Sequence, residues 1–447
     1  MDQSILLRKG LDLNIAGGAD SSAEVRWIGS KHIAIVPDDF PGFTPKLDVK
    51  EGDSVRRGQS LMHDKNDERI RLSSPVTGTV ESVVRGERRK IERVVVAVSK
   101  EDAVVTHIVV PGNADSIREA LMASGLWAMM RQRPYDIVPS PTATPRDIFV
   151  TAFDSAPLAP SLTAQVKGME AEIEAGLKAL QLLTSGKVYV SMREEEAVAV
   201  PAGVVSVGVK GPHPAGNAGV QAANIRPVNK GETVWTLDIV TVARIGALIL
   251  TGTVDGHAIV AVTGSDVTRP EIVKTLIGAD LSSLLQGNIH AEGHNYRVIS
   301  GNVLTGVRTD IEGYLRFPYR QVTVIPEGND VDEFMGWASM ASDKMSVSRS
   351  FPSHFLFGKK FRPDARLHGG RRAMIMSGEY DKVLPMDILP EYLIKAIIAR
   401  DIDRMESLGI YEIAPEDVAL CEYVDPSKIE LQKIVREGLD YLRKELD

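Results

Sequence analysis

The sequence predicts a multidomain protein of mixed α/β and α+β class, and three observations support this. The chain has 447 residues, which is too many for one hydrophobic core, so about three or four domains are expected. Apolar residues make up 43% and charged residues 25%, as in ordinary soluble globular proteins. Along the chain, short strands with turns come first, apolar strands alternating with helices follow, and amphipathic helices come last.

Composition excludes several classes of function. The net charge of −8 gives no basic face for nucleic acid. One cysteine excludes intrachain disulfides and a cysteine-rich zinc site, and it fits a reducing compartment. We expect no signal peptide at the N-terminus. Because no window approaches the ~18 apolar residues of a membrane span, any contact with a membrane is expected to run through a partner.

The first domain, residues 1–100, is predicted to contain a flattened β-sandwich. Turn residues at 51–53 and 57–59 separate alternating apolar and polar positions. The frame at residues 49–80 resembles biotinyl/lipoyl carrier domains. Carriers modify a lysine on an exposed hairpin, but Lys65 lies off that spacing, between Asp64 and Asn66. We therefore expect the carrier fold without the carrier chemistry.

Residues 101–254 are predicted to form a Rossmann-like α/β layer, because apolar strands such as "DIFVTAF" and "KVYVSM" alternate with helical patterns. The glycine-rich "GVKGPHPAGNAG", residues 208–219, differs from a dinucleotide fingerprint. Prolines interrupt it, we expect no helix directly after it, and no suitable acid follows. A shaped surface loop is favoured over a phosphate-binding loop.

Residues 255–330 resemble a soluble-ligand-binding β-grasp domain, with a small sheet on one helix. The stretches "AIVAVTGSDVTRPEIVKTLIGADLSSLL", "YRVISGNVLTG" and "YRQVTVIPEG" supply its elements. The segment "HAEGH", residues 290–294, pairs two histidines at i, i+4. Its glutamate is misplaced for a zinc-protease motif, and the nearby glycines oppose a helix. We expect a polar loop rather than a zinc site.

Residues 331–447 combine a basic, aromatic arm with a C-terminal helical domain. The arm, residues 346–372, is interrupted by proline and glycine. Two interpretations stay open, a solvated loop and a segment that docks on a partner. The candidate docking residues are Phe351, Phe355, Phe357, Lys359, Lys360 and Arg362. The stretches "PEYLIKAIIARDIDRMESLG" and "PSKIELQKIVREGLDYLRKEL" have helical apolar spacing.

A degenerate iron–sulfur frame lies in the last domain. The bacterial ligand pattern is C-x2-C-x2-C-x3-C-P. Counting back from Pro426, its ligand positions fall on Pro415, Val418, Cys421 and Asp425. Since proline and valine cannot ligate iron, we expect no cluster there. Asp425 is instead predicted to be structural, as an N-cap for a helix that begins at Pro426.

Several motifs together resemble one known family. They are "RKGLDLNIAGG" at 8–18, "GPHPAG" at 211–216, "RVISGNVLTG" at 297–306, "MSVSRSF" at 345–351 and "ALCEYVDPSKIE" at 419–430. Over nearly its whole length the chain resembles the A subunits of Na+-translocating NADH:quinone reductases. These are related to the C subunit of the Rnf complex and to the flavin-binding subunit of complex I.

Where the chain departs from the flavin-binding relatives, the resemblance implies that chemistry has been lost. Those relatives wrap FMN phosphate with a G-x-G-G-A-G-F-P loop, which needs bare backbone. The equivalent stretch here is residues 123–136, where Trp127, Met129 and Met130 carry side chains. We therefore expect no catalytic, cofactor-binding or metal-binding residues in this chain.

The resemblance also implies a place in a larger assembly. That six-subunit bacterial complex oxidises NADH, reduces ubiquinone or menaquinone and exports Na+. Its FAD, [2Fe–2S] centre, FMN and riboflavin are carried by other subunits. This chain would be a peripheral subunit on the cytoplasmic face, docked on a membrane subunit near the quinone-reducing end, and not catalytic alone. The alternatives are a free-standing flavin or NADH oxidoreductase and a carrier protein with a modified lysine.

Overall fold

The computed structural model describes residues 1–290, 293–330, 344–347, 352–356 and 358–446. Within these ranges the strands form two six-stranded sheets, one four-stranded sheet and one three-stranded sheet. The strands are β1 (Gln3–Leu6), β2 (Arg26–Trp27), β3 (His32–Ile35), β4 (Pro45–Leu47), β5 (Ser54–Val55), β6 (Ser60–Asp64), β7 (Arg71–Ser73), β8 (Gly78–Arg85), β9 (Ile91–Val98), β10 (Arg131–Arg133), β11 (Asp147–Thr151), β12 (Val188–Met192), β13 (Val205–Lys210), β14 (Val234–Asp238), β15 (His257–Thr263), β16 (Glu271–Leu276), β17 (Tyr296–Ser300), β18 (Val307–Thr309) and β19 (Gln321–Pro326). The α-helices are α1 (Ala114–Ser124), α2 (Leu162–Gln165), α3 (Glu170–Leu183), α4 (Ala218–Ile225), α5 (Ile239–Thr251), α6 (Leu281–Leu285), α7 (Tyr380–Val383), α8 (Pro390–Ala399), α9 (Ile402–Ser407), α10 (Ala419–Val424) and α11 (Leu431–Leu446).

The predicted carrier-like sandwich is present near the N-terminus. One sheet has the order β3-β9-β8-β5 and the other β4-β6-β7. Alternating apolar residues from both sheets, among them Leu61, Val80 and Val94, fill the space between them. Lys65 follows β6 directly and is exposed. That this lysine is unmodified stays a prediction.

The Rossmann-like layer is a sheet of order β1-β13-β12-β11-β14-β10. Neighbours from β1 to β14 are parallel, and β10 closes one edge antiparallel to β14. On one face, α3 and α5 pack very closely. A Cβ added at Gly246 would lie 1.7 Å from the carbonyl oxygen of Glu172, and one at Gly176 would lie 2.2 Å from that of Val242. Only glycine permits this contact.

The expectation that no helix follows the glycine-rich segment was wrong. Helix α4 begins at Ala218, inside the segment. Its Val220 and Ala222 are buried against the sheet, and Pro227 follows shortly after its end. The helix is short, so its stability comes from packing rather than from a periodic pattern visible in the sequence.

The β-grasp prediction is confirmed by a sheet of order β18-β17-β19-β15-β16-β2 with α6 packed on it. Its edge strand β2 comes from far earlier in the chain and pairs parallel with β16. Valines of β15 and β19 and leucines of α6 form a separate small core. The β-grasp domain therefore combines a strand that precedes the sandwich in the sequence with strands that follow it.

The C-terminal helices cover the other face of the Rossmann-like sheet. Leu431, Val435, Leu439 and Leu442 of α11 are buried in the same core as Phe149 of β11. Each such side chain contributes about 1.5–3 kcal/mol when fully buried. The other predicted helical stretch is broken into α8 and α9, where the backbone turns left-handed.

The N-terminal strap, residues 7–18, crosses three domains. The amide of Leu7 donates to the carbonyl of Lys210 in the sheet (2.8 Å), and that of Gly10 donates to Lys382 in the C-terminal domain (3.1 Å). Gly264 of the β-grasp domain donates to the carbonyl of Gly17 (2.9 Å). The strap is therefore an internal connection among these domains.

The expected N-cap role of Asp425 is not what the structure shows, because α11 begins at Leu431 rather than at Pro426. The buried Asp425 carboxylate instead accepts backbone N–H bonds from Ser427 (3.1 Å) and Ile429 (2.9 Å). Pro426 favours this turn, since it has no N–H to donate. Asp425 is thus structural, but it holds the turn between α10 and α11.

We predict that Asp425→Ala lowers the free energy of unfolding by about 3 kcal/mol, because two N–H groups in a buried turn lose a charged acceptor. Asp403→Ala, an exposed change in α9, is the control and should shift it by less than about 0.5 kcal/mol. Urea unfolding followed by circular dichroism measures both. Equal effects of the two substitutions would contradict the assigned role.

Candidate functional site

A cleft opens at the carboxyl ends of the parallel strands. β12 and β13 lie on one side of β11, and β14 lies on the other. The chain order therefore reverses beside β11, and open α/β sheets bind ligands at such a point. The cavity there has a volume of about 440 Å³, which is within the range of small-molecule sites.

All four domains contribute to the walls of this switch-point cleft. The sandwich supplies Asp38 and Asp39, and the β-grasp domain supplies residues 316–321. The C-terminal domain supplies Glu416 and Arg436. The site thus depends on how the domains are held together as well as on the sheet.

Two ion pairs connect the cleft to the β-grasp domain. Arg320 forms a bidentate pair with Asp238 (2.7 and 3.0 Å), which also caps α5 by accepting from the Thr241 amide (2.8 Å). Burial by itself would raise the pKa of Asp238, but Arg320 and the helix amide outweigh it and lower that pKa. Arg316 pairs with Asp39 at 2.5 Å, yet burial dominates there and raises the pKa of Asp39.

Asp154 differs from the other carboxylates of the cleft. It lies just beyond β11, is exposed to the cavity, and accepts a bond from the Ala156 amide (2.8 Å). Among the described residues it has no salt-bridge partner. The protein around it raises the pKa of this carboxyl by desolvation. Asp154 is therefore a carboxyl group able to hold and release a proton inside the cleft.

A buried charge network forms the side of the cleft next to the C-terminal domain. The Arg133 guanidinium is 1% exposed and donates to Asp417 (2.7 Å), Glu416 (3.0 Å) and the Glu412 carbonyl (2.8 Å). Burial would lower the pKa of Arg133, but Asp417 and Glu416 outweigh it and raise that pKa. Removing one partner of the buried Arg133–Asp417 pair would lower the free energy of unfolding by about 3–5 kcal/mol.

An aromatic and cationic face lines the cleft beside Asp39. Phe317 stacks on Phe40 with ring centroids 5.0 Å apart. The Arg131 guanidinium lies 5.4 Å from the centre of the Phe317 ring and donates to the Asp39 carbonyl (2.7 Å). A flat ring next to a guanidinium is a suitable surface for a planar ligand.

The "GPHPAG" segment, expected to be a shaped surface loop, is largely buried and borders the cleft. Its His213 is 3% exposed, Nδ1 lies 3.0 Å from the Ser155 hydroxyl, and its amide donates to Asp12 (2.8 Å). Burial is the main cause that lowers the pKa of His213 to about 4. The ring is therefore neutral at physiological pH.

The stretch expected to replace a flavin loop is filled by side chains. Trp127 is fully buried, donates to the Pro139 carbonyl (2.8 Å), and packs edge-on against Trp235 at 5.1 Å. Met130 is also fully buried, and only Met129 of the three reaches the cleft. Trp127 and Met130 therefore make this stretch part of the hydrophobic core.

The four residues of the iron–sulfur frame lie in different environments. Pro415 borders the cleft, whereas Val418, Cys421 and Asp425 are buried. Burial is the largest cause that raises the pKa of the Cys421 thiol, so it is a poor ligand. In the part of the chain that the structure describes, no group of three or more His, Cys, Asp or Glu side chains is arranged to hold a metal ion.

The predicted "HAEGH" loop is only partly described, since residues 291 and 292 lie outside the described ranges. His290 is exposed. His294 Nε2 lies 2.8 Å from the buried carboxylate of Asp266. The described part of the loop is thus tied to the β-grasp domain by this contact.

The arm is anchored at its C-terminal side. Arg362 pairs with Asp266 (3.2 Å), and the neighbouring Phe361 is buried beside the strap. Lys360 and Phe355 are exposed, Phe355 by 66%, and Lys359 lies over the Phe361 ring at 5.5 Å. Phe351 and Phe357 lie outside the described residues. Their docking role stays a prediction.

Sequence reasoning missed the acidic residues of the cleft, above all Asp154 and Asp238. Asp154 stands just beyond the carboxyl end of the predicted strand "DIFVTAF", and Asp238 stands at the end of "VWTLD". Acids that follow parallel strands lie together at the carboxyl edge of the sheet, so their positions in the sequence could have indicated this site. Arg320, the partner of Asp238, could not be found, because it belongs to another domain.

We predict that burial of His213 makes stability depend on pH. Unfolded histidine binds a proton below about pH 6.5, whereas His213 in the folded chain binds one only below about pH 4. Unfolded chains thus bind more protons in that window, and the free energy of unfolding falls as pH decreases, by about 3 kcal/mol at most. Urea unfolding at about pH 7 and pH 4.5 should show a smaller difference for His213→Asn than for wild type.

The same substitution at exposed His290 is the control for loss of a histidine. Asp12, which bonds the His213 amide, stays in place in both variants. If His213→Asn keeps the full pH dependence of the wild type, a different group causes it.

No helix among the described residues is both long and apolar enough to cross a membrane. Among solved structures, one similar chain belongs to an NAD+-reducing [NiFe]-hydrogenase. It has a TM-score of 0.38 and 14% identity, and the match covers 74% of this chain and 61% of that one.

Family models match three parts of the chain. They are described as the NqrA N-terminal barrel-sandwich hybrid domain (residues 5–99), the NqrA second alpha/beta domain (112–254) and the NQRA C-terminal domain (259–310). These assignments agree with the predicted sandwich, α/β layer and β-grasp unit.

Similar proteins match the chain over its whole length. The NqrA protein of the Na(+)-translocating NADH-quinone reductase from Serratia proteamaculans (strain 568) is 38% identical, and that from Neisseria meningitidis serogroup B (strain ATCC BAA-335 / MC58) is 35% identical. Each match covers 99% of this chain and 100% of the relative. With this identity over the full length, the chain belongs to the NqrA family of Na+-translocating NADH-quinone reductase subunits.

Proposed function

We propose that this chain is a peripheral subunit, on the cytoplasmic face of a bacterial membrane, of a complex that oxidises NADH, reduces ubiquinone or menaquinone and exports Na+. In this proposal it carries no redox cofactor of its own. It contributes to assembly and to the quinone-reducing end, and it is not catalytic alone. FAD, the [2Fe–2S] centre, FMN and riboflavin belong to the other subunits.

The observation that carries this proposal is the filled core at residues 123–136. Trp127 and Met130 are fully buried where flavin-binding relatives need an open glycine loop. The single cysteine is buried as well. A free-standing flavin or NADH oxidoreductase needs a site that these side chains occupy, so a subunit role is favoured over that alternative.

The switch-point cleft is the part of the chain that we assign to the quinone-reducing end. Reduction of a quinone to a quinol consumes two electrons and two protons. The electrons would come from flavins on partner subunits. Within the cleft, desolvation raises the pKa of Asp39 and of Asp154, which favours the protonated form that a proton donor needs. The Phe317 ring and the Arg131 guanidinium line the cleft beside Asp39.

Complexes prepared without this chain test the proposal. They should still oxidise NADH with ferricyanide but lose quinone reduction, and the wild-type chain should restore it. Adding back Asp154→Asn should restore less than a tenth of the rate, because loss of a general acid commonly costs a factor of about 100 or more. Asp115→Asn, an exposed change on α1, is the control. Full quinone reduction without the chain would refute the proposal, and full restoration by Asp154→Asn would remove this residue's role.

The arm is proposed to contact a membrane subunit. Phe355 and Leu356 are exposed apolar side chains in its N-terminal half, while Phe361 and Arg362 hold its C-terminal half to the body. Apolar residues next to Lys359 and Lys360 are the type of anchor that binds a partner surface with acidic loops.

We predict that Phe355→Ser with Leu356→Ser removes the part of membrane binding that depends on the partner subunits. The matched control is Ile108→Ser with Val110→Ser, two exposed apolar residues of another domain. Co-sedimentation with membranes that carry these subunits measures attachment, and circular dichroism checks the fold. If both double variants sediment like the wild type, the docking surface lies elsewhere on the chain.

A further inference from the structure

The hairpin that connects β8 and β9 is strongly basic. We call residues 85–93 the basic hairpin; its basic side chains are Arg85, Arg88, Arg89, Lys90 and Arg93, against two acids, Glu87 and Glu92. Residues 87–90, at its tip, are all exposed. In a chain of net charge −8, this is a local reversal of sign.

The backbone at the tip is strained. Arg88 has φ 52° and ψ 27°, and Arg89 has φ 62°. Such left-handed positions in a hairpin ordinarily carry glycine or asparagine, since other side chains are disfavoured there. Both arginines therefore adopt an unfavourable backbone conformation, and their exposed side chains gain little packing that would offset it. Strain of this kind is retained at functional sites.

A pocket of about 270 Å³ lies at the base of the basic hairpin. Three cationic side chains border it, Lys90, Arg93 and Arg316, together with the Tyr314 ring. The Arg93 guanidinium lies over that ring at 5.9 Å. Its Nε is buried and has no hydrogen-bond partner among the described residues. A buried donor left in this way is expensive unless a ligand accepts from it.

The acidic residues around the pocket are mostly engaged already. Asp38 pairs with Lys90 (2.6 Å) and Asp39 pairs with Arg316 (2.5 Å). Glu92 also borders the pocket. No carboxylate of the described chain forms an ion pair with Arg93, which leaves this cation for an external anion.

We propose that this pocket binds the phosphate group of an anionic phospholipid, and that the tip of the basic hairpin rests on the headgroup surface. Arginine at the base would donate to phosphate oxygens, and Arg88 and Arg89 would add attraction to the surface. Asp38 and Arg316 border both this pocket and the cleft. If the proposed function is right, which this last step requires, the mouth of the cleft then faces the membrane that holds the quinone.

Vesicle sedimentation with the full chain alone tests this inference. Vesicles of phosphatidylcholine with phosphatidylglycerol should bind the chain, and more weakly as salt rises; phosphatidylcholine alone should not. Arg88→Asn with Arg89→Asn should weaken binding roughly 25-fold, because each basic residue near an anionic surface contributes a factor of about five. Asparagine suits left-handed backbone, so this variant should melt no lower than wild type.

Lys31→Asn with Lys100→Asn is the matched control, since both exposed residues lie at the opposite end of β9. It should bind vesicles nearly as wild type does. Arg93→Gln tests the pocket and should weaken binding by about fivefold. Equal loss in the control pair would mean nonspecific charge attraction and overturn the hairpin site. Unchanged binding by Arg93→Gln would overturn the pocket.

Titration with glycerol phosphate distinguishes a membrane from a soluble ligand. Binding of glycerol phosphate without binding of vesicles would overturn the lipid assignment. Absence of both would overturn the site altogether. The assay contains no NADH, quinone or partner subunit, so its failure is separate from any failure of the proposed function.

Discussion

Residues 7–18 tie three domains together through backbone hydrogen bonds. The strap bonds in turn to the Rossmann-like sheet, the C-terminal domain and the β-grasp domain. Two glycines allow the strap backbone to approach its neighbours closely. A Cβ at Gly10 would lie 2.3 Å from the His213 carbonyl oxygen, and one at Gly17 would lie 2.1 Å from that of Gly264. His213 is in turn part of the cleft wall, so the strap fixes the site as well as the domains.

The same dependence on several domains explains the charge arrangement of the cleft. Arg133, Arg316 and Arg320 each pair with an acid from a different part of the chain. Removing one partner would leave a buried or half-buried charge uncompensated. The ion pairs therefore discourage any other arrangement of the domains, because a shifted domain would separate the charges without rehydrating them fully.

Local pattern was enough to predict the elements but not the site. The apolar spacing of α11 and the apolar runs of β11 and β12 are strong signals, and the structure has a helix and two strands at these places. Helix α4 was missed because proline and glycine precede it and packing alone stabilises it. The turn at Asp425 was mistaken for a helix start because both begin with an acid before proline. The cleft could not be predicted, since its walls join residues nearly 400 positions apart, from Asp38 to Arg436.

The burial of Cys421 has a practical consequence. Its thiol is 1% exposed and lies in the core between α10 and the neighbouring helices, and with a raised pKa it forms little thiolate, the form that reacts with alkylating reagents. A cysteine introduced on the surface would therefore be the reactive one. Spin labels, fluorophores or cross-linkers could be attached to the basic hairpin, the arm or the cleft rim without first removing the native cysteine. Distances from this chain to its neighbours could then be measured in the assembled complex.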